Sequence, residues 1–162
     1  MKRNLPVLVL STLVGTLFAT HLAAGADKGD PVAHYRSSTQ LDLITCRLKA
    51  KSYYMIASLH HSSPEAPDIE AQSLENVRKA KAEYLACVRD AKSDAKPLFD
   101  AATKYTKKGP AREALKSYQV AYIIALDGVE AEDGETKSAY ARRQQALTTR
   151  LEEAWVRFEV EQ

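Results

Sequence analysis

Two cysteines constrain this chain more than any other feature, because the one sharp break between its first two helical stretches lies midway between them. Cys46 and Cys87 have their midpoint at 66.5, inside the segment from Ser62 to Asp68. There Ser62-Ser63-Pro64 ends one stretch and Pro67-Asp68 opens the next. In an antiparallel helical hairpin, residues equidistant from the turn face one another, so the two sulfurs meet without distorting the backbone. A Cys46 to Cys87 disulfide is therefore the expected staple of a first hairpin, and closing a loop of this length stabilises by about 4 kcal/mol in the chain-entropy model. Catalytic redox use would call for Cys-x-x-Cys spacing, which the sequence lacks.

A disulfide needs an oxidising compartment, and the first 26 residues provide a route to one. Lys2 and Arg3 precede a mainly apolar run from Leu5 to Ala24, followed by Gly25-Ala26 and the acidic Asp27. That order reads as a secretory signal peptide, with Ala26 the last residue removed. A retained anchor is the weaker reading, since Pro6, Ser11, Thr12, Thr16, Thr20 and His21 interrupt the run and no basic flank follows. Leu22-Ala23-Ala24-Gly25 offers no cysteine for lipid attachment. The expectation is a periplasmic or secreted product with no stable membrane insertion after cleavage.

Cleavage also changes the charge. The chain has 23 basic and 21 acidic residues, and losing Lys2 and Arg3 leaves 21 of each. The basic excess of the whole chain is therefore no evidence for nucleic acid or anionic membrane as a partner, and no nucleic acid is expected. About 136 residues remain, enough for one domain with a sizeable core.

The rest of the sequence predicts an all-α fold, because alternating β-branched runs are missing. Residues 27–36 contain Gly29 and Pro31 and read as a flexible leader; residues 37–162 read as a single helical domain. Ser37 with Gln40 has the form of a capping box, so a first helix is expected from there to about His61. Its stripe of Leu41, Ile44, Leu48, Met55 and Leu59 is expected to face the core. A second helix carries Leu74, Val77, Tyr84, Val88 and Ala91 toward Asp94, and Pro97 is expected to end or kink it before a short helix to Lys107. Gly109-Pro110 starts a helix to about Asp127 with Leu115, Tyr118, Tyr122 and Leu126 inward. After Gly128 and Gly134, a last helix over 135–160 turns Tyr140, Leu147, Leu151, Ala154, Trp155 and Phe158 inward, with Arg142, Arg143, Arg150, Glu153 and Arg157 outward. These segments predict a disulfide-stapled four-helix-type bundle with one additional short helix.

The run Ala102, Tyr105, Gly109, Ala114, Leu115, Tyr118 and Ala121 resembles the spacing of a tetratricopeptide repeat over residues 98–126. The resemblance implies that two antiparallel helices nest through small and aromatic side chains. The pattern does not recur one repeat length away, and a single hairpin makes no peptide groove.

Chemistry-bearing motifs are sparse. The sequence has no Gly-rich phosphate loop, His-Glu-x-x-His, nucleophile elbow or haem attachment motif, so an enzyme ranks third among the readings and no cofactor is expected. His60 and His61 form a weak metal candidate; His34 would stand about 39 Å away along a helix. The acidic turn Asp127, Glu130, Glu132, Asp133 and Glu135 is a weak candidate for a hard cation, although capping and the helix dipole account for acids there. The basic cluster Lys104, Lys107, Lys108, Arg112 and Lys116 around Gly109-Pro110 is a candidate partner-binding patch. The leading expectation is a small exported protein that binds another protein, of inhibitor, immunity or envelope-adaptor type, with a metal or small-ligand carrier as the alternative. Its partner is expected to be another exported or envelope protein, and a homodimer is also compatible with this reading.

Overall fold

The computed structural model describes residues 29–62, 67–132 and 134–162, and it omits the side chains of 61–62 and 67–69. The signal segment 1–26, the leader residues Asp27 and Lys28, and Asp133 of the acidic turn lie outside the described residues. Four helices follow in order: α1 (Pro31–Ser62), α2 (Pro67–Tyr105), α3 (Pro110–Asp127) and α4 (Lys137–Glu161). No strand occurs among the described residues.

α1 starts six residues before the expected capping box. Asp30 caps it, its Oδ1 accepting from the backbone N–H groups of Val32 at 2.8 Å and Ala33 at 3.3 Å, with Pro31 in the first turn. Ser37 lies inside the helix and donates to the carbonyl of His34. The leader reading therefore fails for 31–36, because Val32 and Tyr35 are buried there and anchor the extra turn.

α2 runs without interruption through Pro97, so the additional short helix expected up to Lys107 is the last part of α2. The missing N–H of an interior proline costs about 3 kcal/mol. Burial of Ala91, Ala95 and Ala102 on either side, with Leu98 and Phe99 half-buried, offsets that cost, and Pro97 itself sits on the exposed side.

Two antiparallel hairpins, α1–α2 and α3–α4, carry most of the packing, and α3 also touches α2 and α1. The Cys46 to Cys87 disulfide staples the first hairpin with the Cα atoms 5.5 Å apart. The second hairpin closes on the first through aromatic rings. Tyr118 of α3 packs edge-on against Tyr35 of α1 at 5.8 Å and against Trp155 of α4 at 5.0 Å, and Trp155 meets Phe158 at 5.0 Å. Tyr118 also shares a 2.9 Å hydrogen bond with Thr39, and Tyr35 donates to Gln119. The Arg36 guanidinium covers Trp155 at 4.4 Å and pairs with Glu159 at 2.9 Å.

Tyrosines also hold the α3–α4 turn. Tyr84 donates to Glu130, Tyr140 donates to the Val129 carbonyl, and the Tyr54 hydroxyl accepts from the Ala131 N–H. Burial, the largest cause in each case, raises the hydroxyls of Tyr35, Tyr54, Tyr84, Tyr118, Tyr122 and Tyr140 above the ordinary tyrosine value. The unfolded chain thus loses these protons first, so the stabilisation is complete below about pH 10 and declines as pH rises further. Alkaline titration is expected to leave these six phenols protonated until the chain unfolds, with phenolate absorbance and loss of helicity rising together. Phenolate formation by all eight tyrosines near pH 10, with the helices intact, would contradict this packing.

Gly128 ends α3 where the two helices of the second hairpin approach closely. A Cβ there would collide with the Leu147 side chain and lie 3.2 Å from Arg143 Nη1. Gly128→Ala should cost about 1–2 kcal/mol, because the half-buried Leu147 must leave its place. Thermal unfolding measures this, and an unchanged midpoint would refute it.

The two hairpins differ in length. α1 and α2 have 32 and 39 residues, about 48 and 58 Å, against 18 and 25 residues for α3 and α4, about 27 and 38 Å. Tyr54 meets Tyr140 in the first turn of α4, so the first hairpin continues past the second as a two-helix arm. Among the described residues of 51–83 none is fully buried.

Candidate functional site

α1 carries apolar side chains on two opposite faces. The inner face is Val32, Tyr35, Thr39, Leu43, Cys46 and Ala50, all buried and spaced by threes and fours. Leu41, Ile44, Leu48, Met55 and Leu59, expected to face the core, point outward instead. They are 64%, 48%, 62%, 61% and 62% exposed, which makes them the largest group of exposed apolar side chains on any helix among the described residues. At 100° per residue they fall within a band of about 60°, roughly 165° around the helix from Cys46. The disulfide decides the orientation: Cys46 must face α2, and the outward stripe lies on the opposite side.

This stripe runs about 27 Å from Leu41 to Leu59, and Ser37, Thr45 and Ser52 lie along it without charge. Lys49 and Lys51 flank its middle, both exposed. A band of this length and one helix wide covers on the order of 300 Å², within the range of the largest apolar patch on a typical monomer.

Three clefts accompany it. One of about 550 Å³ lies between α3 and α4, floored by Val120, Ala121, Ile124 and Ala154 and rimmed by charged side chains including Arg150 and Arg157. Another of about 680 Å³ follows α4 past Val156 and Val160. A smaller one of about 240 Å³ lies where Asp30, Thr106 and Gln162 converge. Their floors carry short apolar side chains and offer less continuous apolar length than α1.

The other sequence candidates disperse. In the acidic turn, Asp127 pairs with Lys92, Glu130 accepts from Tyr84, and Glu132 and Glu135 both face Arg143, at 3.8 and 2.6 Å. The Arg143 guanidinium, hydrogen-bonded to Glu135, holds that carboxyl below its ordinary range. Arg143, expected to face outward, is folded in and also donates to the carbonyls of Gly128 and Glu130. These four acids thus fasten a turn, with Glu132 and Glu135 sharing Arg143.

His60 Nδ1 lies 2.9 Å from Ser73 Oγ across the arm, and the His61 side chain is outside the described residues. No group of three or more His, Cys, Asp or Glu converges among the described residues. The His60 and Ser73 pair lines none of these three clefts.

The basic cluster divides. Lys116 pairs with Glu113 at 2.8 Å and Arg112 donates to the Thr106 carbonyl, while Lys104, Lys107 and Lys108 remain exposed around the corner. Of the repeat-like run, Ala102, Ala114, Leu115, Tyr118 and Ala121 are buried as the resemblance implies, but Tyr105 is 64% exposed. The buried members face a bundle core, and the hairpin belongs to no array among the described residues.

No family model matches the chain, and comparison with curated proteins and with solved structures finds no match. The disulfide fits an oxidising compartment. Among the described residues, no helix is long and apolar enough to cross a membrane.

Proposed function

We propose that this is an exported protein that acts by binding another protein, and that the outward stripe of α1 is its docking face. One observation carries the reading: five large apolar side chains lie exposed in register on the face opposite the core. A helix needs one apolar face to hold its place in a bundle, and the inner face of α1 already supplies it. A second face at 3–4 spacing fits the apolar seam of a partner helix. The inhibitor, immunity and adaptor classes all work through surfaces of this kind, without a catalytic centre.

Site-specific photo-crosslinking in exporting cells tests this. A photoreactive residue in place of Leu41, Leu48 or Met55 should yield the same protein adduct. One in place of Lys104 on the basic corner should not. If the α1 positions give no adduct while the Lys104 position does, the docking face is the basic corner and the α1 reading falls.

A further inference from the structure

A buried hydroxyl that bonds to nothing stands level with two carboxylates. Tyr122 is 0% exposed, and its Oη has no hydrogen-bond partner among the described residues. Contacts at either end of α3 fix what surrounds it. α3 runs alongside α1 in the same direction, with Tyr118 on Thr39 and Ala131 on Tyr54. Tyr122, one turn past Tyr118, is therefore level with Asp42, three residues past Thr39. Against α2 the direction is opposite, since Asp127 takes Lys92 and Glu130 takes Tyr84. Counting back from these pairs at equal rise puts Tyr122 level with residues 92–97 of α2, Asp94 among them. The disulfide agrees: Asp42 lies about 6 Å before Cys46 and Asp94 about 10.5 Å beyond Cys87, on the same side of the staple.

The electrostatics match this placement. Burial and then the charge of Asp94 push the Asp42 carboxyl up, and burial, followed by Asp42, Tyr118 and Asp94, pushes the Tyr122 hydroxyl up. No cation of the chain answers the two carboxylates. Among the described residues neither aspartate has an ion pair, while Lys92 is held by Asp127 and Arg89 by Asp90. Asp42 is half-buried, so its charge is costly without a counter-ion. The acidic turn differs here, because its acids have partners within the chain.

We propose that Asp42, Asp94 and the Tyr122 hydroxyl bind a hard divalent cation across the seam of α1 and α2. All three donors are oxygens, which suits calcium and magnesium over softer metals. Calcium fits better, because three separate helices set the donor positions and calcium accepts irregular arrangements that magnesium does not. Water completes the shell. With two carboxylates and one neutral oxygen the dissociation constant is on the order of 1 mM, the range of extracellular calcium modules. The ion would tie α1 to α2 close to the disulfide. Asp42 lies about 100° around α1 from Leu41, so this site rests on no part of the docking reading.

Thermal unfolding of the exported, oxidised protein, stripped with chelator and then given calcium at constant ionic strength, tests the site. At 10 mM calcium, about ten times the expected constant, the midpoint should rise by about 3–5 °C, and by less with magnesium. Asp42→Asn and Asp94→Asn should each abolish the rise. Tyr122→Phe removes an oxygen but no hydrogen bond, so its midpoint without calcium should hold and its calcium response should shrink. Glu132→Gln, in the acidic turn, should keep the full response. Calorimetric titration of calcium into the folded wild type and Asp94→Asn reads binding directly, and Asp94 is exposed enough for that variant to fold. No rise and no binding heat with either ion would overturn the site. So would a rise that sodium matches, or one lost in Glu132→Gln and kept in Asp42→Asn.

Discussion

Replacing Tyr118 with alanine is expected to destabilise the protein by about 4 kcal/mol, a large part of the 5–15 kcal/mol typical of a single domain. Tyr118 is 1% exposed and stands where α1, α3 and α4 meet, with Tyr35 on one side and Trp155 on the other. Truncation removes two aromatic contacts and leaves a cavity that α3 cannot collapse into, because its neighbours Leu115 and Tyr122 are fixed in the same core. Tyr118→Phe separates the ring from the hydroxyl. It breaks only the bond to Thr39, whose own hydroxyl keeps the carbonyls of Tyr35 and Arg36 as acceptors, and should cost about 1 kcal/mol. Urea unfolding measures both: the midpoint should fall in the order wild type, Phe, Ala, with an unchanged slope. A loss below about 1.5 kcal/mol for the alanine variant would show that the two hairpins are not joined through this ring.

Removing the disulfide should cost a similar amount by a different route. Cys46 and Cys87 are 41 residues apart, and the loop they close restricts the unfolded chain by about 4 kcal/mol. Cys46→Ser with Cys87→Ser should lower the melting temperature by about 10–15 °C. The loss should also be uneven. Over 51–83 the arm has no fully buried side chain among its described residues, whereas the α3–α4 hairpin buries Leu115, Tyr118, Tyr122, Leu151 and Trp155. Amide exchange in the cysteine-free variant should therefore accelerate more over 50–83 than over 114–126. Uniform acceleration would mean that the arm and the body unfold together.

Both substitutions test parts of the fold that the sequence exposes to different degrees. The disulfide follows from two positions and one helix break. Tyr118, Tyr122, Leu151, Trp155 and Phe158 lie buried on the stripes that the spacing predicts, because the large aromatic and leucine side chains of α3 and α4 fall on one side of each helix. Pro97 misleads, since a local rule about proline does not include the burial of Ala95 and Ala102 beside it. Ser37 and Gln40 have the form of a capping box, yet Asp30 caps α1, because burial of Val32 and Tyr35 extends the helix back to Pro31.

The candidate site was legible only in part. The spacing of its five residues predicts a core face, and the structure exposes them. The inner face of α1 runs through Tyr35, Leu43, Cys46 and Ala50, and the Cys46 bond to α2 and the packing of Tyr35 on Tyr118 settle it. The acidic turn was equally visible, but its partners Lys92, Tyr84 and Arg143 lie 35, 46 and up to 11 residues from the acids they bind. Such distances carry no periodicity to read.

By itself, then, the sequence determined the helices, the hairpin that the two cysteines close, and the lack of familiar catalytic motifs, since these rest on local geometry and on residue type. Only the tertiary structure decided which apolar face of α1 is buried. A helix of either orientation satisfies the same backbone hydrogen bonds, and the choice is made by what packs against it. Here the disulfide and the Tyr35, Tyr118 and Trp155 stack pull one face inward and leave Leu41, Ile44, Leu48, Met55 and Leu59 to the solvent.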